Sequence, residues 1–435
     1  MISRRDFLGA SSLALAGSVV GCEPPPESAA AGSPAPGQEL PPSLAALTDQ
    51  THRATPITSR EREGRIQKAR ALMARHRLDA LMLTGGTSLA YFTGIRWGLS
   101  ERLFAVVVPV RGQAFLVCPA FEEDRAREQL REGPLTDAEV LTWQEHESPY
   151  ALVAGGLRDR GFAAGALGVE ETVRFVFSHG VAQAAPALSL SSGTPVTAGC
   201  RGVKDEHELA LMQLANEVTL NAYQAAYQAL EAGMTQGEFH GLVSRAHSLQ
   251  GFSGGAGVQV GRYAALPHGS RTPQVMEEGQ ILLMDGGCSV EGYRSDISRT
   301  FLVGEPTDRM REVFRIVQRA QEAALAAAAP GVEAQAVDAA ARSVIEEAGY
   351  GPGYTYFTHR VGHGIGMDGH EWPYLVKENT LALEPGHTFS DEPGIYIPGE
   401  FGVRLEDCMY ITRDGAGLFT PPSPSLDEPF GNWPV

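Results

Sequence analysis

Asp285, Asp296, His363, Glu392 and Glu406 are the residues of this 435-residue chain best placed by type and context to do chemistry. Asp285 ends the apolar run Ile281-Leu282-Leu283-Met284 and precedes Gly286-Gly287. Asp296 closes Gly292-Tyr293-Arg294-Ser295-Asp296, just before the strand-like Ser298-Arg299-Thr300-Phe301-Leu302-Val303. Glu392 lies in Phe389-Ser390-Asp391-Glu392-Pro393-Gly394, and Glu406 in Gly402-Val403-Arg404-Leu405-Glu406-Asp407. His363 is flanked by Gly362 and Gly364. A single acid at a strand end is ordinarily a surface residue. Four in apolar strand contexts are another matter, because an unpaired buried charge is very costly. Two divalent cations would supply the missing positive charge. An oxygen-rich set with one imidazole suits Mn²⁺, Co²⁺ or Zn²⁺, and the dominance of carboxylates puts Mn²⁺ first.

The elements that must hold these residues alternate along the chain. Ser59 to Arg77 predicts a helix, with Ile66, Ala69, Leu72 and Met73 at helical spacing. Ala80-Leu81-Met82-Leu83 follows as a buried strand that Gly85-Gly86 breaks. Leu103 to Val108 and Ala114 to Val117 are further strand runs, bounded by Pro109 and Gly112. This alternation predicts an α/β domain over 56–200. A second unit, 201–435, opens where Asp205 and Glu208 form a capping box for a long helix through Leu214, Val218 and Tyr223. Gly233-Met234-Thr235 punctuates it, a second helix follows, and glycine-rich strands lead to Asp285. The order then recurs roughly one hundred residues later, a weak internal duplication. A helix runs from Asp308 to Ala328, Pro330-Gly331-Val332 interrupts, a helix ends near Gly349, and strands carry His363, Glu392 and Glu406. Two such α+β halves would pack two curved sheets face to face, with a site at their pseudo-symmetry axis.

Composition narrows the partners. Lys+Arg 35 against Asp+Glu 52 gives a net charge of -17, which argues against nucleic acid, since that partner demands a basic footprint. Ser3-Arg4-Arg5-Asp6-Phe7-Leu8 places twin arginines before an apolar stretch that ends in Val19-Val20-Gly21-Cys22. Residues 1–22 therefore read as a twin-arginine lipoprotein signal, with Cys22 as the lipid anchor on the periplasmic side of a bacterial membrane. Residues 23–55, rich in Pro, Ala, Ser and Gly at their start, read as a flexible tether. Cys118, Cys200, Cys288 and Cys408 show no zinc-like spacing; Cys118, Cys288 and Cys408 lie in apolar runs as small hydrophobes.

Taken in order, the motifs resemble those of the pita-bread metallopeptidases, the methionine aminopeptidase, Xaa-Pro aminopeptidase and prolidase family. Met284-Asp285-Gly286 with Gly292-Tyr293-Arg294-Ser295-Asp296-Ile297-Ser298-Arg299-Thr300-Phe301 resembles the paired-aspartate motif. His359-Arg360-Val361-Gly362-His363-Gly364-Ile365-Gly366-Met367-Asp368-Gly369-His370-Glu371 resembles the histidine motif. Glu392-Pro393-Gly394-Ile395-Tyr396 and Val403-Arg404-Leu405-Glu406-Asp407 resemble the two glutamate motifs. The resemblance spans Ser59 to Thr420 and implies an α+β pita-bread domain behind a smaller α/β domain of the creatinase and prolidase type. It implies that Asp285 and Glu406 touch the first and both ions, that Asp296 is shared, and that His363 and Glu392 complete the second. It further implies a hydroxide held between the ions as nucleophile, with Glu392 shuttling its proton. His268, His359 and His370 would bind substrate, donate to the tetrahedral oxyanion and pass a proton to the leaving nitrogen. Arg404 would orient Glu406. The implied substrates are short Xaa-Pro peptides and the implied assembly is a homodimer. Gly369, Trp372 and Asp391 depart from the family pattern without removing a ligand, which bears on the substrate pocket. The rival readings are hydrolysis of another amide or ester on the same fold, and a non-catalytic binding protein of that fold.

Overall fold

A short strap comes first. α1 (Pro42–Ala45) buries Leu44 completely beside Ala222, Ala225 and Ala246, and Ser43 Oγ donates to Ala225 O at 2.8 Å. Gln50 N–H donates to Gln250 O at 3.0 Å. The expected flexible tether is therefore corrected over its second half. Leu44 and the partly buried Leu47 find an apolar seat, and their burial offsets the entropy of a free linker. The computed structural model describes residues 39–434; the expected leader at 1–22, with Cys22, and the tether up to residue 38 lie outside the described residues.

Turn residues and apolar runs build the first sheet. α2 (Ser59–His76) starts at a capping box between Thr58 and Glu61 and leads into β1 (Ala80–Thr84). α3 (Thr87–Thr93), β2 (Ala105–Pro109), β3 (Phe115–Pro119), α4 (Glu123–Glu132) and β4 (Glu139–Trp143) follow. Next come α5 (Pro149–Asp159), β5 (Gly165–Val169), α6 (Phe175–Ala184), β6 (Leu188–Ser192) and α7 (Thr194–Arg201). The sheet order is β4-β3-β2-β1-β5-β6, antiparallel where β1 and β3 flank β2 and parallel elsewhere. β1, β2 and β3 are buried at every position because both faces are covered. Leu81 and Leu83 pack with Ile66 and Met73 of α2, while Ala80 and Met82 join Val153 of α5 and Phe177 of α6.

α8 (Glu206–Gln228) begins at the Asp205–Glu208 capping box and α9 (Gln236–Leu249) at a second one, Thr235–Glu238. β7 (Ser253–Val260), β8 (Ile281–Val290), β9 (Tyr293–Arg294) and β10 (Ile297–Leu302) form an antiparallel sheet in the order β10-β8-β7, with β9 on β8. α10 (Asp308–Ala327) and α11 (Ala334–Glu347) start the second half. β11 (Gly362–Gly364), β12 (Glu371–Leu375) and β13 (Thr388–Asp391) come next, then the hairpin β14 (Gly394–Ile397) and β15 (Phe401–Arg404). β16 (Asp407–Ile411) and β17 (Ala416–Leu418) complete a sheet ordered β12-β11-β13-β16-β17. Helix pair and sheet thus occur twice, as the sequence order suggests.

Ser298 and Glu406 sew the halves together, each N–H donating to the other's carbonyl at 3.2 Å. β8 runs on past Gly286-Gly287, where the sequence suggests its end. A Cβ at Gly287 would lie 2.0 Å from Ser295 O, and one at Gly286 2.4 Å from Gly255 O, so these glycines permit close approach of neighbouring backbone. Cys118, Cys200, Cys288 and Cys408 are free and buried.

Candidate metal centre and active site

The five candidate ligands meet at that seam. Asp285 stands in the middle of β8, opposite Ser298 of β10, and Asp296 turns in just before β10. His363 is the central residue of β11. Glu392 and Glu406 do not lie on strands as expected but one residue outside them, after β13 and before β16. Pro393 lacks the N–H that would continue the ladder past Glu392. Three overlapping triads result, each with donor atoms within 4.8 Å of one another: Asp285–Asp296–Glu406, His363–Glu392–Glu406 and Asp296–His363–His370.

The electrostatics of the cluster call for cations. Burial foremost, then the neighbouring carboxylates, raises Asp296 and Glu406 well above the usual range. Burial also lifts Glu392 to about 7, against the pull of Arg404 and with the help of Asp285. Arg404, the guanidinium bonded into this cluster, puts Nη2 2.5 Å from Asp285 Oδ2 and Nε 3.8 Å from Glu406 Oε2. Its nearest carboxylate is thus Asp285, although the sequence pairs it with Glu406. With all four carboxylates ionised, as ligation requires, one guanidinium leaves three negative charges, more than one divalent ion supplies.

The histidine is prepared for coordination. His363 Nδ1 lies 3.1 Å from the Gly364 carbonyl, which can only accept, so the proton belongs on Nδ1. Nε2 then turns its lone pair toward Glu392 Oε1 at 3.3 Å and Asp296 Oδ2 at 3.9 Å. A lone pair facing carboxylate oxygens is stable only with a cation or proton between them. Burial, with His370 stacked at 3.7 Å, drives His363 down to about 3 and keeps it neutral, as a ligand must be. The donor set therefore fits divalent metal.

Two supporting groups escape a reading by motif. Ser298 Oγ sits 2.7 Å from Glu406 Oε2 and 3.1 Å from Asp285 Oδ1 and accepts from Arg404 Nε at 3.0 Å. Its signal is the two-residue spacing from Asp296, which places both on one face of an extended chain. Ser390 Oγ donates to Glu392 Oε1 at 3.1 Å and accepts from His363 N–H at 3.0 Å.

The outer histidines separate into two kinds. His268 and His370 are exposed, and neither makes a ring hydrogen bond among the described residues. His359 is held by the protein itself. Its Nδ1 lies 2.8 Å from Arg360 O and its Nε2 2.7 Å from the Tyr396 hydroxyl, so both nitrogens are already engaged. Burial, with Arg404 nearby, lowers it to about 4 and leaves it neutral. It braces Tyr396 and, through that hydroxyl, Arg404 Nη1 at 3.3 Å.

Comparison with known proteins agrees with this geometry. The profile of Metallopeptidase family M24 matches residues 210–413, and that of the Creatinase/Prolidase N-terminal domain matches residues 65–203. An Xaa-Pro dipeptidase from Lactobacillus delbrueckii subsp. lactis is 36% identical over 355 residues, covering 80% of this chain and 94% of its own. The chain belongs to metallopeptidase family M24. Among solved structures, the dipeptidase PepE from Mycobacterium ulcerans superposes with a TM-score of 0.80 at 33% identity, covering 86% of this chain and 99% of that one. A prolidase from Thermococcus sibiricus gives 0.75 at 29%, covering 82% and 96%. The pita-bread domain behind a creatinase-type domain is thus the M24 architecture, and the site is that of a divalent-metal peptidase.

One expectation is overturned by the same matches. The similarity to family profiles begins at residue 65, and four-fifths of this chain already accounts for nearly all of the Lactobacillus enzyme. The matches lend no support to the twin-arginine lipoprotein reading of residues 1–22, and M24 membership brings neither export nor a lipid on Cys22 with it. We withdraw it.

Proposed function

We propose that this M24 peptidase is a two-metal dipeptidase that splits Xaa-Pro dipeptides, with Mn²⁺ as the preferred ion. The observation that carries the reading is the convergence of Asp285, Asp296, His363, Glu392 and Glu406, in triads sharing Glu406, around an uncompensated negative charge. The names of the similar proteins, Xaa-Pro dipeptidase and prolidase, supply the substrate class. Divalent ions, when bound, polarise a carbonyl and make water a better nucleophile near neutral pH.

The chain's own residues do the rest. The substrate's free amine is drawn to the acidic cluster, which limits cleavage to the first residue. Glu392 takes the proton of the attacking water and returns it to the departing ring nitrogen. His370 and His268, with ring nitrogens unclaimed by the protein, donate to the carbonyl oxygen as charge grows on it. The Xaa-Pro amide has no N–H, so a site that depends on none is suited to it.

The test compares kcat/KM for Ala-Pro, Ala-Ala and Ala-Pro-Ala, with and without exhaustive chelation. We expect Ala-Pro to be cleaved fastest, chelated protein to be inactive, and Mn²⁺ to restore it. Equal rates on Ala-Ala would sink the proline assignment, a faster Ala-Pro-Ala would make it an aminopeptidase, and full activity without metal would remove the mechanism.

A further inference from the structure

His370 occupies a critical place with little of its own to hold it there. Its ring is exposed, makes no hydrogen bond among the described residues, and stacks on the face of His363 at 3.7 Å and 14°. The preceding residue is Gly369, which adds no side-chain anchor. What fixes His370 is therefore its flanks, Asp368 and Glu371.

Both flanks are gripped from the N-terminal domain and from the segment joining it to α8. Arg201, the last residue of α7, donates through Nη2 to Asp368 Oδ2 at 2.5 Å and to Glu371 Oε2. Its Nη1 donates to Ser88 Oγ at 3.2 Å. Thr87 Oγ1 donates to Asp368 Oδ1 at 2.5 Å, so α3 holds the same aspartate from its other oxygen. Lys204 Nζ donates to Glu371 Oε1 at 2.6 Å, with side chains only 1% and 7% exposed. Gly366 makes room for this pair: a Cβ there would come 2.4 Å from Glu371 Oε1 and 2.8 Å from Lys204 Cε.

We infer that Arg201 is a positioning residue for the hydrolytic reaction, acting through Asp368 and Glu371 to set where His370 meets the substrate. The inference rests on the reading of His370 as a donor to the reacting carbonyl. It makes the N-terminal domain a working part of the active site. Arg201 touches none of the five candidate ligands within salt-bridge or hydrogen-bond distance, so its loss should spare the metal.

The experiment is a double-mutant cycle between Arg201→Met and His370→Ala on metal-loaded protein, reading kcat, KM and metal content. Arg201→Met alone should lower kcat by about 10–100-fold, the scale of a misplaced reacting group, with KM and metal content nearly unchanged. In the His370→Ala background the same substitution should change kcat by less than about twofold, because the group it positions is gone. Arg201→Lys should recover part of the loss. Thr87→Val, at the solvent side of the clamp, should give a smaller loss with the same dependence on His370 if Arg201→Met fails to fold. An undiminished effect of Arg201→Met in the His370→Ala background, a loss of metal in step with kcat, or wild-type kcat in Arg201→Met would overturn the inference. Wild-type kcat in His370→Ala would instead remove the reading of His370 beneath it.

Discussion

Ser298 offers one hydroxyl to three claimants, Glu406, Asp285 and Arg404, and holds all of them at the seam. Removing it leaves two ligands less firmly aimed. We expect Ser298→Ala to weaken metal binding by about 10–100-fold, the usual cost of losing an outer-sphere partner, measured by titrating metal-free protein with Mn²⁺ in a calorimeter. Unchanged affinity would mean that Arg404 suffices alone. Asp296→Asn is a harsher change, since it deletes a charge shared by two triads; elemental analysis should find at least one ion fewer per chain. The four acids among the five candidate ligands are legible in the sequence because carboxylates stranded among apolar residues advertise a missing cation. Ser298, Ser390 and Tyr396 are not, because an ordinary hydroxyl acquires its meaning from partners it meets only after folding. His359 shows the other limit: the motif sets it four residues before His363 but cannot reveal that Arg360 and Tyr396 occupy both its nitrogens.

Among elements, α2 and α8 carry the join between the domains. Arg65 of α2 donates to the Tyr293 hydroxyl at 2.8 Å and lies 3.2 Å from Glu208 of α8, all three being buried. Arg65→Met would strand a buried carboxylate, and we expect a loss of about 3–5 kcal/mol in chemical denaturation. A loss below 1 kcal/mol, roughly the value of an exposed pair, would show that water reaches Glu208. A second contact, His207 with Glu61 at 2.6 Å, depends on pH. Burial works to raise Glu61, but hydrogen bonds from Thr58 and His207 hold it at about 2 instead of 4.5. Burial works to lower His207, but its bonds to Glu61 and Thr55 raise it above 6.5. The Glu61 contribution is present above 4.5 and lost as pH falls toward 2; that of His207 is present below 6.5 and lost as pH climbs through its raised value. His207→Ala should therefore cost about 0.5–1 kcal/mol near pH 5.5 and less near pH 9, read from melting curves at the two pH values. The capping boxes at Asp205 and the strand runs of β1 and β2 are legible locally, whereas the strap is not. Its few leucines look like linker until the α8–α9 surface that seats them is known.

For the whole molecule, the seam between the half-sheets places metal at the centre of stability. Chelation should lower Tm as well as abolish turnover, because the desolvated carboxylates of Asp296, Glu392 and Glu406 lose their counter-charge. At free Mn²⁺ one hundred times Kd, each independent site should return about 2.7 kcal/mol, checked by calorimetry across a metal series. A Tm indifferent to metal would mean that protons replace the ions at no cost.

The order of the ligands along the chain has a consequence in time. All five fall between residues 285 and 406, and Glu406, which joins the Asp285–Asp296 pair to the His363–Glu392 pair, is the last. A ribosome making this protein from its N-terminus completes the α/β domain and the first half-sheet before His363, Glu392 or Glu406 exists. The nascent chain thus holds at most two of its ligands for most of its synthesis. The peptidase is born inert, and its chemistry switches on only in the final stretch of translation, once both half-sheets can close on each other.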